Sequence, residues 1–445
     1  MTEPLQVFEH GKLHVGGAGL SGRDVERLQG LNERHGCRVF DFGFRCVRFT
    51  QYVGVVQIGR RVIEILPKVD GVPGADNRRL WHGVLVDMLR RCGLLRIEAP
   101  SAADLASRRA LLLNLYLEAF LREVDALVHH GLAKRYRKAR ANLGVFKGRL
   151  LVAQQLRHNL VHRERAFCEY MTYDRDNVFN RVLKEALGVV RDMAIPARLA
   201  DDARRLLLAF DGLPEAAATA ETFQRLRYDR HTERYRRATV LAEMILLNYA
   251  PDIRHGDRSV LAILFDMNVL FEHYVLCELQ RAARELGGER LRVTGQTSRP
   301  FWRAGSTQAM IRPDILVELG SAKPPLRVIL DTKWKLPKSS RPTDADLQQM
   351  YAYGLQFGAT ASALLYPQTG AARDTEGYFL AACGLDSKAE HGCGMWFVDI
   401  LKEGKLDPGL GRRLAGRLLM LEADRVRQLP AGPAKMCPRE VRSTT

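Results

Sequence analysis

Two aspartates and a lysine in the C-terminal half of the chain could do chemistry together. Met310 to Lys335 reads MIRPDILVELGSAKPPLRVILDTKWK, two strands joined by a proline-rich turn, with Asp314 in the first and Asp331 and Lys333 in the second. Side chains along a strand repeat every two residues, so residues 331 and 333 point to the same side. A carboxylate and an ammonium then share that side, beside a second carboxylate from the neighbouring strand. Paired carboxylates suit a hard cation that prefers oxygen ligands, so Mg²⁺ is the expected metal, with Mn²⁺ the alternative. The lysine could orient an attacking water and offset charge that builds on a phosphate. Taken alone, however, the triplet reads more readily as an exposed strand with a surface ion pair, since short D-x-K matches arise by chance.

These residues need elements to hold them. Upstream, LFDMNVLFEHYV (264–275) begins an amphipathic helix that runs to about Glu285 and offers Glu272 as a further acid. Downstream, DADLQQMYAYGLQF (344–357) reads as a second helix with Thr343 as its N-cap. In it Gln349 and Tyr353 lie i, i+4 on one face. Thr360 to Tyr366 follows as a strand. The P-D…D-x-K pattern, with Gln-x-x-x-Tyr on the following helix, resembles the PD-(D/E)xK nucleases. Their core runs helix, three strands, helix, strand; one of the three consecutive strands is not located in the sequence.

The chain is similar to a narrower family as well: McrC, the nuclease subunit of McrBC modification-dependent restriction systems. The C-terminal blocks that carry the likeness are FDMNVLFEHYV, RPDILVEL, ILDTKWK and QQMYAYG. Further blocks are YVGVVQIGRRVIEILPKV (52–69), Gly148-Arg149 and EYMTYDRDNVFNRVLKEAL (169–187). D-x-K is common to many nucleases; the order of these blocks is what singles out the family. The resemblance implies that Asp314 and Asp331 bind the metal, with the Thr332 carbonyl as an added ligand and Glu272 assisting from the first helix. Lys333 would position or activate water for in-line attack on the phosphodiester, and Gln349 and Tyr353 would order the site or the DNA backbone. It further implies a separate AAA+ GTPase that forms a ring and recognises modified DNA. The McrC-like subunit would dock through residues 1 to about 240, stimulate GTP hydrolysis and cut double-stranded DNA, with self-association through the nuclease domain left open. Two other functions share these features. One is a non-catalytic assembly adaptor, against which the intact D…D-x-K argues; the other is a RecB-type repair nuclease working with a helicase, which needs no GTPase partner.

Composition agrees with a polyanionic partner. The 445 residues carry a net charge of +17, which favours phosphate contacts through counterion release. The eight cysteines, at 37, 46, 92, 168, 277, 383, 393 and 437, form no C-x-x-C pair and read as free thiols in a reducing compartment. The N-terminus lacks a basic-then-apolar signal pattern, and no apolar run approaches the roughly 18 residues of a membrane helix. A cytoplasmic protein without membrane contact is expected.

The expected architecture is an α/β nuclease domain of PD-(D/E)xK, restriction-endonuclease-like type over residues 250–428. A β-rich N-terminal module (1–75) and a mainly helical region (76–249) precede it, and a proline-rich, disordered tail (429–445) follows. Within the helical region, ten Lys and Arg between 134 and 165 face a single acid, Glu164. Lys134, Arg135, Arg137, Lys138, Arg140, Lys147 and Arg149 are therefore candidates for touching DNA or a partner, the alternative being a solvated helix face.

Three patterns are set aside. Gly17-Ala18-Gly19-Leu20-Ser21-Gly22, with Asp41 beyond, matches a dinucleotide fingerprint. The strand before it is too short and no βαβ repeat follows, so it reads as a loop entering a helix at Arg23. His158 and His162 have metalloprotease spacing without the required Glu, and read as surface residues on basic helices. Gly144 to Arg149 lacks the G-K-[ST] ending of a phosphate-binding loop, so no nucleotide is expected on this chain.

Overall fold

The computed structural model describes residues 4–16, 19–35, 38–69, 77–95, 111–193, 196–215, 217–250, 260–288, 290–320, 325–335, 341–368, 372–380 and 391–428, with residues 337 and 370 between them. The expected tail, 429–445, lies outside the described residues. The chain divides into two units that are not consecutive in sequence: Met1–Pro67 with Leu95–Asp266, and Lys68–Leu94 with Met267–Thr445.

The first unit opens with β1 (Leu5–Phe8), β2 (Lys12–His14), α1 (Gly22–His35), β3 (Phe40–Gly43), β4 (Cys46–Phe49), β5 (Tyr52–Ile58) and β6 (Arg61–Leu66). Strands β2, β4 and β3 form an antiparallel sheet in that order. The glycine-rich run is flanked by a single parallel bridge, Val15↔Leu20, rather than by a βαβ unit, and Gly17 and Ala18 lie outside the described residues. After α2 (Arg78–Arg91), which belongs to the second unit, come α3 (Leu112–His129), β7 (Arg135–Leu143), β8 (Arg149–Leu150), α4 (Val152–His158) and β9 (Ala166–Asp174). Then follow α5 (Val178–Asp192), α6 (Ala197–Leu207), α7 (Ala220–Gln224), α8 (Arg236–Leu247), β10 (Tyr249–Ala250) and β11 (Val260–Asp266).

Strand β11 completes the N-terminal sheet, whose order is β1-β6-β5-β11-β10. It pairs antiparallel with β5 from Val260↔Ile58 to Asp266↔Tyr52. Leu264, Phe265 and Asp266 thus end a strand of the first unit, where the sequence pattern placed the start of a helix. Periodicity cannot separate a short, continuous apolar run in a buried strand from a buried helical turn. Strand β5 is buried along nearly its whole length, and Gly54 lets β11 lie close to it: with φ +137°, its missing Cβ would fall 2.1 Å from the Ile263 carbonyl oxygen.

The region expected to be mainly helical holds a three-stranded sheet, β7-β9-β8, at its most basic stretch. Arg, Lys and Ala are good helix formers, which is why RYRKARANL reads as helix locally. Nine registered pairs with β9, from Arg135↔Asp174 to Leu143↔Ala166, override that propensity. The other elements described within the region are mostly helices, α2, α3 and α5 to α8 among them. A buried polar knot anchors it: Asn177 and Asn180 donate to the Ala133 carbonyl, while the Tyr235 hydroxyl accepts from Ala133 N–H and donates to Asn180. Every polar atom named there has a partner, as burial requires.

The second unit contains α2 and α9 (Met267–Glu285), β12 (Leu291–Gly295), β13 (Arg299–Ala304), β14 (Thr307–Ile311), β15 (Ile315–Leu319), β16 (Leu326–Thr332), α10 (Asp344–Phe357), β17 (Ala361–Pro367), β18 (Tyr378–Phe379), β19 (His391–Val398), the short pair β20 (Leu401–Lys402) and β21 (Lys405–Leu406), and α11 (Leu410–Gln428). Its sheet runs β12-β15-β16-β17-β19-β18. Antiparallel pairing joins β12, β15 and β16; β16, β17 and β19 are parallel. The strand that the sequence left unlocated is β12, and a two-stranded ribbon, β13–β14, intervenes before β15. Helix α2 packs on α9, where Arg91 pairs at 3.1 Å with the buried Glu278. The five cysteines among the described residues are free, as expected. No described helix is long and apolar enough to cross a membrane.

Gly54→Ala should destabilise the first unit by about 2 kcal/mol or more, since both the positive φ and the backbone oxygen oppose a methyl group. Thermal unfolding of the full chain checks this. An unchanged first transition would mean that the β5–β11 contact is not close.

Candidate active site

Asp314 and Asp331 come together because β15 and β16 are antiparallel neighbours with Ile315 opposite Leu330. Asp314 sits in the bend just before β15 and not within the strand, because Pro313 has no N–H for the ladder. Its Oδ2 accepts from Thr332 N at 2.7 Å and Thr332 Oγ1 at 3.0 Å. That fastens the carboxylate over the end of β16. Lys333 lies just past the strand, and its N–H still donates to the Leu365 carbonyl of β17 at 2.8 Å.

The lysine head closes the cluster. Nζ lies 2.6 Å from Asp331 Oδ2 and 3.5 Å from Asp346 Oδ1, and 3.5 Å from Gln349 Oε1. Nζ and Asp331 Oδ2 form a close, buried ion pair, and that oxygen accepts from no other group among the described residues. Gln349 donates to Tyr353 Oη at 2.7 Å, and Tyr353 donates to the Arg312 carbonyl at 2.9 Å. The i, i+4 pair expected on α10 therefore ties Lys333 to the segment leading into Asp314. Thr343 caps α10 as expected, with its hydroxyl accepting from Asp346 N at 3.2 Å and donating to the Asp346 carboxylate at 2.7 Å.

Asp346 is the site residue that sequence reasoning passed over. The signal was present: Thr343-x-x-Asp346 has capping-box spacing, and the cap turns this acid toward Lys333 and Lys335. Gln296 was also missed, and nothing in the sequence marks it. It follows β12 directly, in the left-handed region with φ 49°, donates to Glu272 at 2.9 Å and donates its N–H to the Asp314 carbonyl at 2.9 Å. Non-glycine residues at positive φ are uncommon and cluster where function constrains the backbone.

The titration behaviour follows from this crowding. Burial, then the charge of Asp314, pushes the Asp331 carboxyl up to about 6 against the opposing pull of Lys333. Burial pulls the Lys333 ammonium down, but Asp331, Asp346 and Asp314 outweigh it and hold it above its ordinary value. Burial and then Asp314 also raise Glu272. Glu272 thus feels the site, but its side chain is engaged by Gln296. Among the described residues, no three His, Cys, Asp or Glu side chains gather tightly enough to hold a metal ion.

The basic candidates lie apart from this cluster in sequence and belong to the first unit. Most are already partnered. Arg135 pairs with Asp229 at 2.5 Å, Arg137 with Asp174 at 3.0 Å and Arg140 with Glu169 at 2.8 Å, while Lys147 lies 4.4 Å from the Tyr170 ring centroid. Lys134, Lys138 and Arg149 make no ion pair among the described residues. The expected helix face is a strand face instead, on which Lys138 and Arg140 alternate with exposed Tyr136. His158 ends α4 and stacks on Phe167, and His162 pairs with Glu164. Neither is part of a metal cluster.

The family model described as McrBC 5-methylcytosine restriction system component matches residues 47–367. The chain belongs to this McrBC family. The match spans four of the five strands of the N-terminal sheet (all but β1), the basic strands and the Asp314–Asp331–Lys333 cluster, so the family pattern extends over both units. No curated protein matches the chain. Among solved structures, a chain in the refined half-complex from a tetradecameric assembly of Thermococcus gammatolerans McrB AAA+ hexamers with bound McrC is similar at 20% identity. The likeness covers 94% of this chain and 100% of that one, with a TM-score of 0.62. A chain in the Thermococcus gammatolerans McrBC complex is 21% identical over 63% of this chain and 88% of that one, with a TM-score of 0.47. At such identities the first likeness speaks to the fold.

A divalent cation should bind more weakly as pH falls through about 6, because the raised Asp331 carboxyl then takes a proton that competes with the metal. Above that pH the carboxylate is ionised and affinity should level off. Calorimetric titration with Mn²⁺ between pH 5 and pH 8 (roughly a unit or more either side of the midpoint) measures this. Affinity flat across the range would remove Asp331 from the ligand set.

Proposed function

We propose that this chain is a Mg²⁺-dependent DNA endonuclease subunit of an McrBC-like, modification-dependent restriction complex, working in the cytoplasm. The observation that carries this reading is the convergence of Asp314, Asp331 and Lys333 at the end of β15 and β16, inside a helix, three-strand, helix, strand order. That order is the one expected of PD-(D/E)xK nucleases, with β12 as its first strand. Membership of the McrBC family supports the biological setting.

The donor set fits a hard cation. Asp314 lies near enough for its charge to raise Asp331, and Asp331 presents a buried oxygen whose close partner is the Lys333 ammonium. Asp314 and Asp331 would hold Mg²⁺, with the Thr332 carbonyl and Glu272 as further candidates. When bound, the metal would supply Lewis acidity to the phosphate and lower the pKa of a coordinated water. The chain's own residues do the rest. Lys333 carries a full positive charge between three acids, so it can hold a water by its ammonium and offset charge on the phosphoryl oxygens. Gln349 fixes that ammonium, and Tyr353 fixes Gln349. Asp346 keeps Lys333 charged and near the site when Asp331 is engaged elsewhere.

The solved neighbour contains McrB AAA+ hexamers with bound McrC. By that likeness, the first unit here would dock on a hexameric GTPase ring and stimulate its hydrolysis, in line with the lack of a G-K-[ST] phosphate-binding pattern at Gly144–Arg149. The basic strand face bearing Lys134, Tyr136, Lys138 and Arg140 supports a role in that contact, because its large side chains stand exposed instead of packing.

Asp331→Asn and Asp314→Asn should each lower cleavage about a hundredfold or more in the assembled complex, with metal affinity falling in parallel. Lys333→Met should lose cleavage while keeping metal affinity, as it supplies charge and not coordination. Cleavage by Asp331→Asn at the wild-type rate would exclude the site. Lys138→Glu with Tyr136→Ala should weaken stimulation of the partner's GTP hydrolysis and leave the nuclease unit's metal affinity intact; normal stimulation would make the strand face a solvated surface.

A further inference from the structure

The ribbon β13–β14 departs from the rest of the second unit in what it exposes. All six residues of β13 are exposed, and in β14 only Ile311 is buried. An isolated two-stranded hairpin is marginal in water, yet this one keeps Phe301, Trp302 and Met310 each at least half exposed. Large apolar side chains on both strands of a ribbon that packs on little are a contact surface.

Charge selects the occupant. The segment RPFWRAGSTQAMIR (299–312) contains three arginines and no acid. Arg303 faces only the neutral Gln308 across the ribbon. A two-stranded ribbon has the width to enter the major groove of duplex DNA, and aromatic and arginine side chains suit sugar, base and phosphate surfaces.

The base of the ribbon is built into the catalytic cluster. Arg299 donates to the Gln356 carbonyl at 2.8 Å, with its guanidinium 4.7 Å from the Phe357 ring centroid, which fixes β13 to the end of α10. Ile311 packs in the core with Met350 and Tyr353. The Arg312 carbonyl receives the Tyr353 hydroxyl, and Asp314 follows two residues later. A load on the ribbon therefore reaches the segment that aims Asp314.

We propose that the β13–β14 ribbon is the duplex-DNA contact of the nuclease unit, gripping a groove through Trp302, Phe301 and Arg303 and so aligning a phosphate with Asp314, Asp331 and Lys333. This rests on the nuclease function proposed above.

Trp302 makes the idea directly measurable. Of the four tryptophans, Trp81, Trp334 and Trp396 are buried and Trp302 is 56% exposed. Adding a short DNA duplex to the full-length chain should change the tryptophan emission, and Trp302→Phe should abolish that change. Arg303→Glu should weaken duplex binding about tenfold at low salt and reduce the slope of log affinity against log salt by about one. Both positions are exposed, so far-UV circular dichroism should be unchanged. DNA binding that leaves Trp302 emission unaltered, or an Arg303→Glu chain that binds like wild type, would overturn the proposal. So would variants that change only the sedimentation mass, which would make the ribbon a contact between copies of the chain. Asp331→Asn separates the two proposals. If it still cuts DNA, the catalytic assignment fails; if it is inactive but shows the wild-type emission change, both stand.

Discussion

A carboxylate almost withdrawn from water, that of Asp331, is the feature around which the second unit is organised. Its side chain is about 2% exposed, and an ionised acid in such a place is costly unless opposite charge and donors surround it. The supply is incomplete. Lys333 pairs with the Asp331 carboxylate, while the Asp314 carboxylate accepts from Thr332 at the end of β16. Three acids, Asp314, Asp331 and Asp346, then share the site with Lys333. Burial first, and then the charge of Asp314, raises the Asp331 carboxyl, while the three acids together hold Lys333 protonated.

Several features elsewhere in this unit make sense as ways of holding that arrangement. Thr343 caps α10 and orients Asp346, so the helix start doubles as an electrostatic prop for Lys333. One turn further on, Gln349 and Tyr353 link the lysine to the Arg312 carbonyl. Gln296 adopts a left-handed backbone to reach both Glu272 and the Asp314 carbonyl. Each is a local polar connection that restrains a member of the charge cluster.

The first unit is organised on different terms. Its sheet is closed by β11, and its helices are fixed by a small, fully satisfied polar knot around Ala133. From that knot β7 leaves directly, so the basic strands start from a rigid point. Their arginines are largely neutralised by neighbours within the same sheet or its base. The charge run therefore stiffens the strands as well as colouring their surface, and the exposed face is left to Tyr136, Lys138, Met171 and Tyr173.

What the sequence determined by itself was the local chemistry. Asp314, Asp331 and Lys333 were legible because period two is imposed by strand geometry, and Thr343, Gln349 and Tyr353 because caps and i, i+4 pairs are local too. The order of blocks placed the chain in its family. Three things only the tertiary structure decided, and all turn on contacts between residues far apart in the chain. VLAILFD became a strand because β5 offered an edge with a glycine at the point of closest approach. RYRKARANL became a strand because β9 paired with all nine of its residues, outweighing a helical propensity worth only tenths of a kcal/mol per residue. Helix α2 joined the second unit because its Arg91 meets Glu278, 187 positions away. Local sequence sets what each segment can do next to itself; the partner across the fold, which it cannot name, sets which of those options lowers the free energy most.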